Sequence, residues 1–176
     1  MFWNDLYLAL FDRCVTQFES GDANYTQYFS EMDLHFLASI GCQPREFFDF
    51  IEDFCNDSLP TKSTSLLIAA VRRDYFLTVQ KGEVSQLRIT RDDLPTFGEE
   101  LDGMTYLPRI LKKARAKLRG ELDPDLMYAC GGDRKFLHEH GGIHPADFLR
   151  HVWACADDDA KLAKWVRTQA TANSSN

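Results

Sequence analysis

The chain reads YFSEMDLHFL at residues 28–37 and YACGGDRKFL at residues 128–137. The two stretches lie 100 residues apart and share Tyr, Asp, Phe and Leu at the same positions. The similarity continues after one inserted residue, because GCQPREFF at 41–48 corresponds to GIHPADFL at 142–149. Self-similarity at a long fixed distance is typical of a repeated structural unit. The sequence therefore predicts two divergent copies of one module.

Each copy carries the start and stop signals of helices. Ser30 followed by Asp33 indicates a helix start, and Pro44 and Pro145 suit a first helical turn. Apolar residues recur every three or four positions in both copies, at Trp3, Leu6, Tyr7, Leu10, Cys14 and Phe18, and again at Leu107, Ile110, Leu111, Ala114 and Leu118 before Gly120. This spacing is that of amphipathic helices. We therefore predict an all-α bundle of about eight helices.

The predicted bundle is one domain, residues 1–176, in which modules 1–80 and 104–170 are related by a pseudo-twofold axis. The apolar run over residues 63–78 indicates a largely buried helix. Residues 75–90 have a second interpretation, a small β-hairpin around Lys81-Gly82, because apolar residues partly alternate there. Asp, Pro and Gly residues after Arg91 predict a loop, so the modules are joined by a loop segment over 81–103.

Composition limits the functions open to this chain. Its 176 residues are 44% hydrophobic and carry a net charge of -7. The charge is uneven, since residues 61–120 contain twelve bases and seven acids while residues 1–60 contain two bases and eleven acids. An acidic protein is a poor general binder of nucleic acid, whose phosphates require positive surface. We therefore do not expect general nucleic-acid binding, which only a local basic patch could provide.

Cysteine usage and the N-terminal region predict the compartment. The five cysteines include no C-x-x-C pair, which argues against a disulfide framework or a structural zinc site. Asp5 and Asp12 interrupt the first apolar stretch, and no basic residue precedes it, so neither a signal peptide nor a membrane span is expected. We predict a cytoplasmic protein that does not bind membranes.

A family resemblance rests on the second copy. The run LPRILKKARAKLRG at 107–120, followed by Tyr128-Ala129-Cys130 and by DRKFL at 133–137, resembles the bacterial family catalogued as domain of unknown function 5069. The resemblance covers about residues 103–169 and implies a small helical bacterial domain without implying an activity. The first copy departs from this pattern, because it lacks the basic L-P-R run and has Ser30 where the second has Cys130.

The helix predicted after Pro108 is strongly basic. Its bases are Arg109, Lys112, Lys113, Arg115, Lys117 and Arg119, with no acid among them. Such a set could bind a phosphate-bearing or other anionic ligand through charge-assisted hydrogen bonds. Alternatively, the bases form a solvated face or pair with acids of the first copy, namely Asp49, Glu52, Asp53 and Asp57.

Cys130 is the best candidate for a catalytic residue. It precedes Gly131-Gly132 at a predicted helix start, where backbone N–H groups favour a thiolate and a ligand can approach closely. Asp133, a candidate cap of the same helix, would oppose a thiolate there. His138, His140, His144 and His151 cluster in sequence, but glycines and a proline separate them, so we predict no metal site. No cofactor-binding motif is present, and we predict no cofactor.

Three functions stay open on the sequence alone. The first is a non-enzymatic protein that binds an anionic small molecule or an acidic partner through Arg109, Lys112, Lys113, Arg115, Cys130 and Asp133. The second is an enzyme for a small anionic substrate, with Cys130 as nucleophile or redox thiol and Arg109 as the anion clamp. The third is a structural pseudo-dimer without a ligand, in which the charges only orient the two copies.

Overall fold

The computed structural model describes residues 2–22 and 24–173. Eight α-helices make up most of these described residues: α1 (Trp3–Glu19), α2 (Glu31–Ser39), α3 (Pro44–Asp57), α4 (Lys62–Thr78), α5 (Leu107–Arg119), α6 (Gly131–Glu139), α7 (Pro145–Cys155) and α8 (Asp159–Asn173). Short 3-10 turns span Tyr25–Gln27 and Arg91–Asp93, and the strands β1 (Glu100–Leu101) and β2 (Met104–Thr105) form one antiparallel pair. The predicted all-α fold is confirmed.

Residue contacts divide the chain into two compact units, Met1–Val84 and Ser85–Asn176. The first unit contains α1 to α4, and the second contains the strand pair and α5 to α8. Each predicted copy therefore falls in its own unit. The single-domain organisation, the module bounds and the pseudo-twofold relation stay predictions.

The first unit is built around α1, which packs against α3 and α4. Tyr7 and Phe11 of α1 meet the ring of Phe47 edge to face, with ring centroids 5.0 and 6.1 Å apart. The predicted stripe omitted Phe11, which is fully buried, and included Leu6, which is 40% exposed. Contact with two helices accounts for the difference, since the buried face of α1 turns toward both of them.

The hairpin considered for residues 75–90 does not form. Helix α4 continues to Thr78, and the chain then leaves it through Lys81 and Gly82, both with positive φ. The Gly82 N–H donates to the carbonyl oxygen of Phe76 at 2.9 Å, so this turn closes a helix end. Further along, Ile89 forms an isolated parallel bridge with Leu122. The alternation of apolar residues was therefore misleading here.

The second unit surrounds α5. This helix packs against α7 and β1, and α7 in turn packs against α8. Gly120 ends α5 in the left-handed conformation, with φ of 69°, as the sequence predicted. Helix α5 is buried on more than one face, which the sequence pattern did not show. For this reason several of its basic side chains lie inside the unit and not at its surface.

Candidate functional site

Three of the six basic residues of α5 are buried within the second unit. Lys113 is 4% exposed, Lys117 2% and Arg109 8%. The solvated basic face considered from the sequence is therefore wrong for these three residues. A buried cation is stable only when carboxylates or other acceptors replace its water. The acceptors around Lys113 define the candidate site.

The carboxylate of Asp133, on α6, lies at the centre of this site and is fully buried. Its Oδ2 accepts from Lys113 Nζ at 2.6 Å and from the Ala129 N–H at 2.9 Å, and its Oδ1 accepts from the Tyr106 hydroxyl at 2.8 Å. Three donors from three segments thus hold one carboxylate. Asp133 was considered a helix cap, but the N-cap position belongs to Cys130.

Cys130 shares the ammonium of Lys113. Nζ of Lys113 donates to Sγ of Cys130 at 3.2 Å while it also contacts Asp133. The cysteine is half-buried, and Gly131 and Gly132, which begin α6, are exposed. A thiol in contact with a lysine ammonium at a helix N-terminus has the surroundings of reactive cysteines. Two predicted site residues, Cys130 and Lys113, are therefore in direct contact.

Left-handed backbone brings two of the donors to Asp133. Tyr106, the N-cap of α5, has φ of 75°, and Ala129 has φ of 64°. A non-glycine residue in this region costs of order 1–3 kcal/mol, and such residues cluster at functional sites. Neither residue was predicted to belong to the site. Their residue types do not predict a positive φ, because glycine, asparagine and aspartate are the residues most often found in that conformation.

The Tyr106 hydroxyl is a permanent donor. Burial, followed by the negative charge of Asp133, raises the pKa of Tyr106 far above its usual range. Its ring stacks on Phe97 and lies beside Phe136, with centroids 6.0 and 5.9 Å away. A hydroxyl that stays protonated and a ring that is held on two sides keep the hydrogen bond to Asp133 in place.

Arg109 and Lys112 lie away from this cluster of contacts. Nη1 of Arg109 donates to the Pro95 carbonyl oxygen at 2.7 Å, and the guanidinium lies 4.2 Å from the centroid of the Phe97 ring. Lys112 is half-buried. Hydrogen bonds from Thr90 lower the pKa of Asp93, with a smaller effect from the charge of Lys112. Arg109 thus anchors a loop of its own unit.

Arg115 and Arg119 are paired within the second unit as well. Arg115 Nη2 donates to Asp159 at 2.5 Å and to the Ala156 carbonyl oxygen at 2.8 Å, which joins the end of α7 to the start of α8. Arg119 Nε donates to Glu121 at 2.7 Å. In the first unit, Asp49 and Glu52 pair with Arg45. Lys113, Arg115 and Arg119 therefore all pair with carboxylates of the second unit.

The other cysteines have surroundings that suppress reactivity. Cys14, Cys42 and Cys155 are buried. Burial raises the pKa of Cys14 to about 11. Burial also raises the pKa of the half-buried Cys55, with a further contribution from the charge of Glu19. None of the five cysteines forms a disulfide.

The histidines serve helix ends and packing. The His140 ring lies at the end of α6, with Nδ1 2.8 Å from the Phe136 carbonyl oxygen. His144 caps α7 by accepting from the Ala146 N–H, and His151 stacks on Trp165. Over residues 2–22 and 24–173, no three His, Cys, Asp or Glu side chains come together as metal ligands would.

The first unit contains a related ion pair. Arg13 of α1 donates to Asp33 at 2.6 Å, and Asp33 also accepts from the Ser30 N–H and hydroxyl. Arg13, Ser30 and Asp33 stand 100 positions before Lys113, Cys130 and Asp133. Asp33 is at a partly exposed helix start, whereas Asp133 is inside its unit. The same base, cap and acid positions are used, but the first set has no thiol.

These contacts define the second unit as a helical module with a buried Lys–Asp pair and a half-buried thiol at a helix start. Residues 95–176 match the model of the family described as domain of unknown function (DUF5069). The resemblance proposed from the sequence is thereby confirmed for this part of the chain. The matched range begins at Pro95, upstream of the predicted start, and includes Tyr106, Lys113, Cys130 and Asp133.

Two further comparisons returned nothing: no curated protein and no solved structure matched the chain. A helix that spans a membrane must be both long and apolar. None of the helices within residues 2–22 and 24–173 has both the length and the apolarity to cross a bilayer.

Proposed function

We propose that the second unit is a thiol-reactive module in which Cys130 is the nucleophile and Lys113 holds its thiolate. The observation that carries the proposal is the 3.2 Å contact between Lys113 Nζ and Cys130 Sγ. Thiolates, not thiols, are the nucleophiles in cysteine chemistry, and a neighbouring ammonium favours the thiolate. Asp133 fixes this ammonium in place, because it accepts from Nζ at 2.6 Å.

The step at Cys130 is a displacement. Sγ forms a bond to an electrophilic atom of a small molecule, and the bond from that atom to its leaving group breaks with its electron pair. Sγ attacks as the thiolate, so the displacement itself requires no proton transfer within the protein. Half-burial of Cys130 restricts access to small reagents.

This proposal differs from the anion-binding function favoured by the sequence. Lys113 and Arg115 pair with carboxylates of their own unit, and Arg109 donates to a carbonyl oxygen there, so the donors that an anionic ligand would use are already engaged. The contacts of Arg109 also argue against its role as an anion clamp, because its guanidinium donates to the Pro95 carbonyl oxygen and lies over the Phe97 ring. Among the sequence hypotheses, the enzyme with a Cys130 nucleophile agrees best with these contacts, with Lys113 in place of Arg109.

We further propose that the first unit is a divergent copy that has lost the thiol. The pairing of Arg13 with Asp33 beside Ser30 supports this interpretation. We further propose that the chemistry takes place in a reducing cytoplasm, because none of the five cysteines forms a disulfide.

Iodoacetamide labelling of the full chain tests the thiol-reactive function. Carbon–sulfur bond formation with loss of iodide is followed by mass spectrometry at each cysteine. We expect Cys130 to react first at pH 7, faster than cysteine in a short peptide, and Cys14 and Cys55 to react much more slowly. Lys113→Met should slow Cys130 about tenfold, the effect of one charge in contact with the sulfur.

Lys112→Met is the matched control, because it removes a neighbouring lysine of the same helix that is half-buried. It should leave the labelling rate unchanged. Lys113→Met leaves the buried Asp133 carboxylate without its counter-charge, which can impair folding. The double variant, Lys113→Met with Asp133→Asn, contains no buried charge and is the comparison for this effect. The proposal is wrong if wild-type Cys130 reacts no faster than the peptide.

A further inference from the structure

The sharing of Lys113 between two acceptors depends on what else binds Asp133. One carboxylate oxygen, Oδ2, already accepts from Lys113 and from the Ala129 N–H. The other, Oδ1, accepts from the Tyr106 hydroxyl. With three donors around it, the carboxylate does not need all the N–H groups of Lys113. One of them remains for Cys130 Sγ.

The backbone and the packing around Tyr106 hold its hydroxyl against Asp133. Its left-handed φ of 75° is costly for an aromatic residue, so the surrounding structure must stabilise it. Phe97 and Phe136 hold the ring. Gly132 leaves room for the hydroxyl, since a Cβ there would lie 3.0 Å from the Tyr106 oxygen. Four independent features thus place one hydroxyl on Asp133.

We infer that Tyr106 is a positioning residue for Cys130, acting through Asp133 and Lys113. Its hydroxyl neutralises part of the carboxylate charge and fixes the carboxylate plane, so that Lys113 reaches the sulfur. This inference rests on the proposed function, because it assigns a role in the reactivity of the same thiol. Tyr106 does not contact Cys130 through a hydrogen bond of its own, so it is not a catalytic residue.

Loss of the hydroxyl should act in two ways that add. The Asp133 carboxylate would draw Lys113 more fully to itself, away from the sulfur. The hydroxyl dipole would also no longer offset the negative charge of Asp133, and that charge opposes a thiolate nearby. Both effects lower the fraction of thiolate at neutral pH and leave the alkaline limit of the labelling rate unchanged.

Two pairs of matched variants test the inference by the pH profile of Cys130 labelling with iodoacetamide. Tyr106→Phe should lower the rate at pH 7 about fivefold, move the profile to higher pH and reach the wild-type rate at high pH. Tyr128→Phe is its control, because the Tyr128 hydroxyl donates to the Pro145 carbonyl oxygen at 2.8 Å within the same unit. It should lower stability and leave the profile unchanged.

Gly132→Ala should push the Tyr106 hydroxyl from Asp133 and move the profile in the same direction as Tyr106→Phe. Gly131→Ala is its control, since a Cβ there would lie 3.9 Å from Arg134 Nη2, an ordinary contact. Both alanines occupy the first turn of α6, so helix propensity changes equally.

The outcomes separate this inference from the function on which it rests. A fast wild-type Cys130 whose profile is the same in Tyr106→Phe and Tyr128→Phe refutes the role of Tyr106 and retains the reactive thiol. A wild-type Cys130 that labels like the peptide refutes both. A profile shifted by Tyr106→Phe and Gly132→Ala, but not by their controls, supports the inference.

Discussion

Breaking the Lys113–Asp133 pair from one side should strongly destabilise the second unit. The side chains are 5% and 0% exposed, and Nζ lies 2.6 Å from Oδ2. Lys113→Met keeps most of the packing of the lysine stem but leaves a carboxylate inside the protein with only the Ala129 and Tyr106 donors. Removing one partner of a buried ion pair costs about 3–5 kcal/mol.

Asp133→Asn should cost a similar amount, because it leaves the Lys113 ammonium without its counter-charge. The double variant, Lys113→Met with Asp133→Asn, contains no buried charge, and the asparagine amide oxygen can still accept from one donor. Its expected loss is about 1–3 kcal/mol, the range for imperfectly satisfied buried polar groups. The double variant should therefore be more stable than either single variant.

Urea unfolding followed by tryptophan fluorescence measures these differences. Trp3 belongs to the first unit, whereas Trp153 and Trp165 belong to the second, so all variants are compared in a Trp3→Phe background. Lys112→Met, the control, should change the free energy of unfolding by less than about 0.5 kcal/mol. If the two single losses simply add in the double variant, the buried pair described here does not exist in solution.

Two other predictions concern a glycine pair and an acid transition. Gly141→Ala should cost about 2–4 kcal/mol of unfolding free energy, because its Cβ would lie 2.5 Å from the Gln169 carbonyl oxygen at a φ of 97°. Gly142→Ala, with φ of 64° and open space, should cost only about 1–2 kcal/mol, and equal losses in urea unfolding would contradict the close approach of α8. Burial acts to raise the pKa of Asp33, but hydrogen bonds from Ser30 and the charge of Arg13 outweigh it and lower the pKa overall. The stability that Asp33 contributes is therefore present above its unfolded pKa, about 4, and is lost as pH falls through the folded value. Asp33→Asn should destabilise the first unit at pH 7 and lose this difference under acid, as measured by urea unfolding at several pH values, and a constant difference from pH 7 to pH 2 would contradict it.

Much of the fold was predictable because helix signals are local. Pro44 and Pro145 begin α3 and α7, and Gly120 ends α5, each through the conformation of its own backbone, while Ser30 caps α2 through its side chain. The region after α4 was ambiguous for the opposite reason. Its apolar alternation suited a hairpin, but the parallel bridge of Ile89 to Leu122 depends on a residue 33 positions further on.

The residue types of the candidate site were also visible in the sequence, since Cys130, Asp133 and Lys113 were all singled out there. Sequence reasoning could not decide which bases of α5 would be buried, because periodicity describes one apolar face and α5 is covered on more than one. Tyr106 and Ala129 carried no signal, since their positive φ is imposed by tertiary contacts and not by residue type.

Local propensities and residue order were enough to predict the helices, the similarity of the two halves and the family resemblance of the C-terminal part. The position of Lys113 between Asp133 and Cys130 depends on tertiary packing. That arrangement depends on burial, where a cation must find acceptors among whatever side chains the packing brings within about 3 Å.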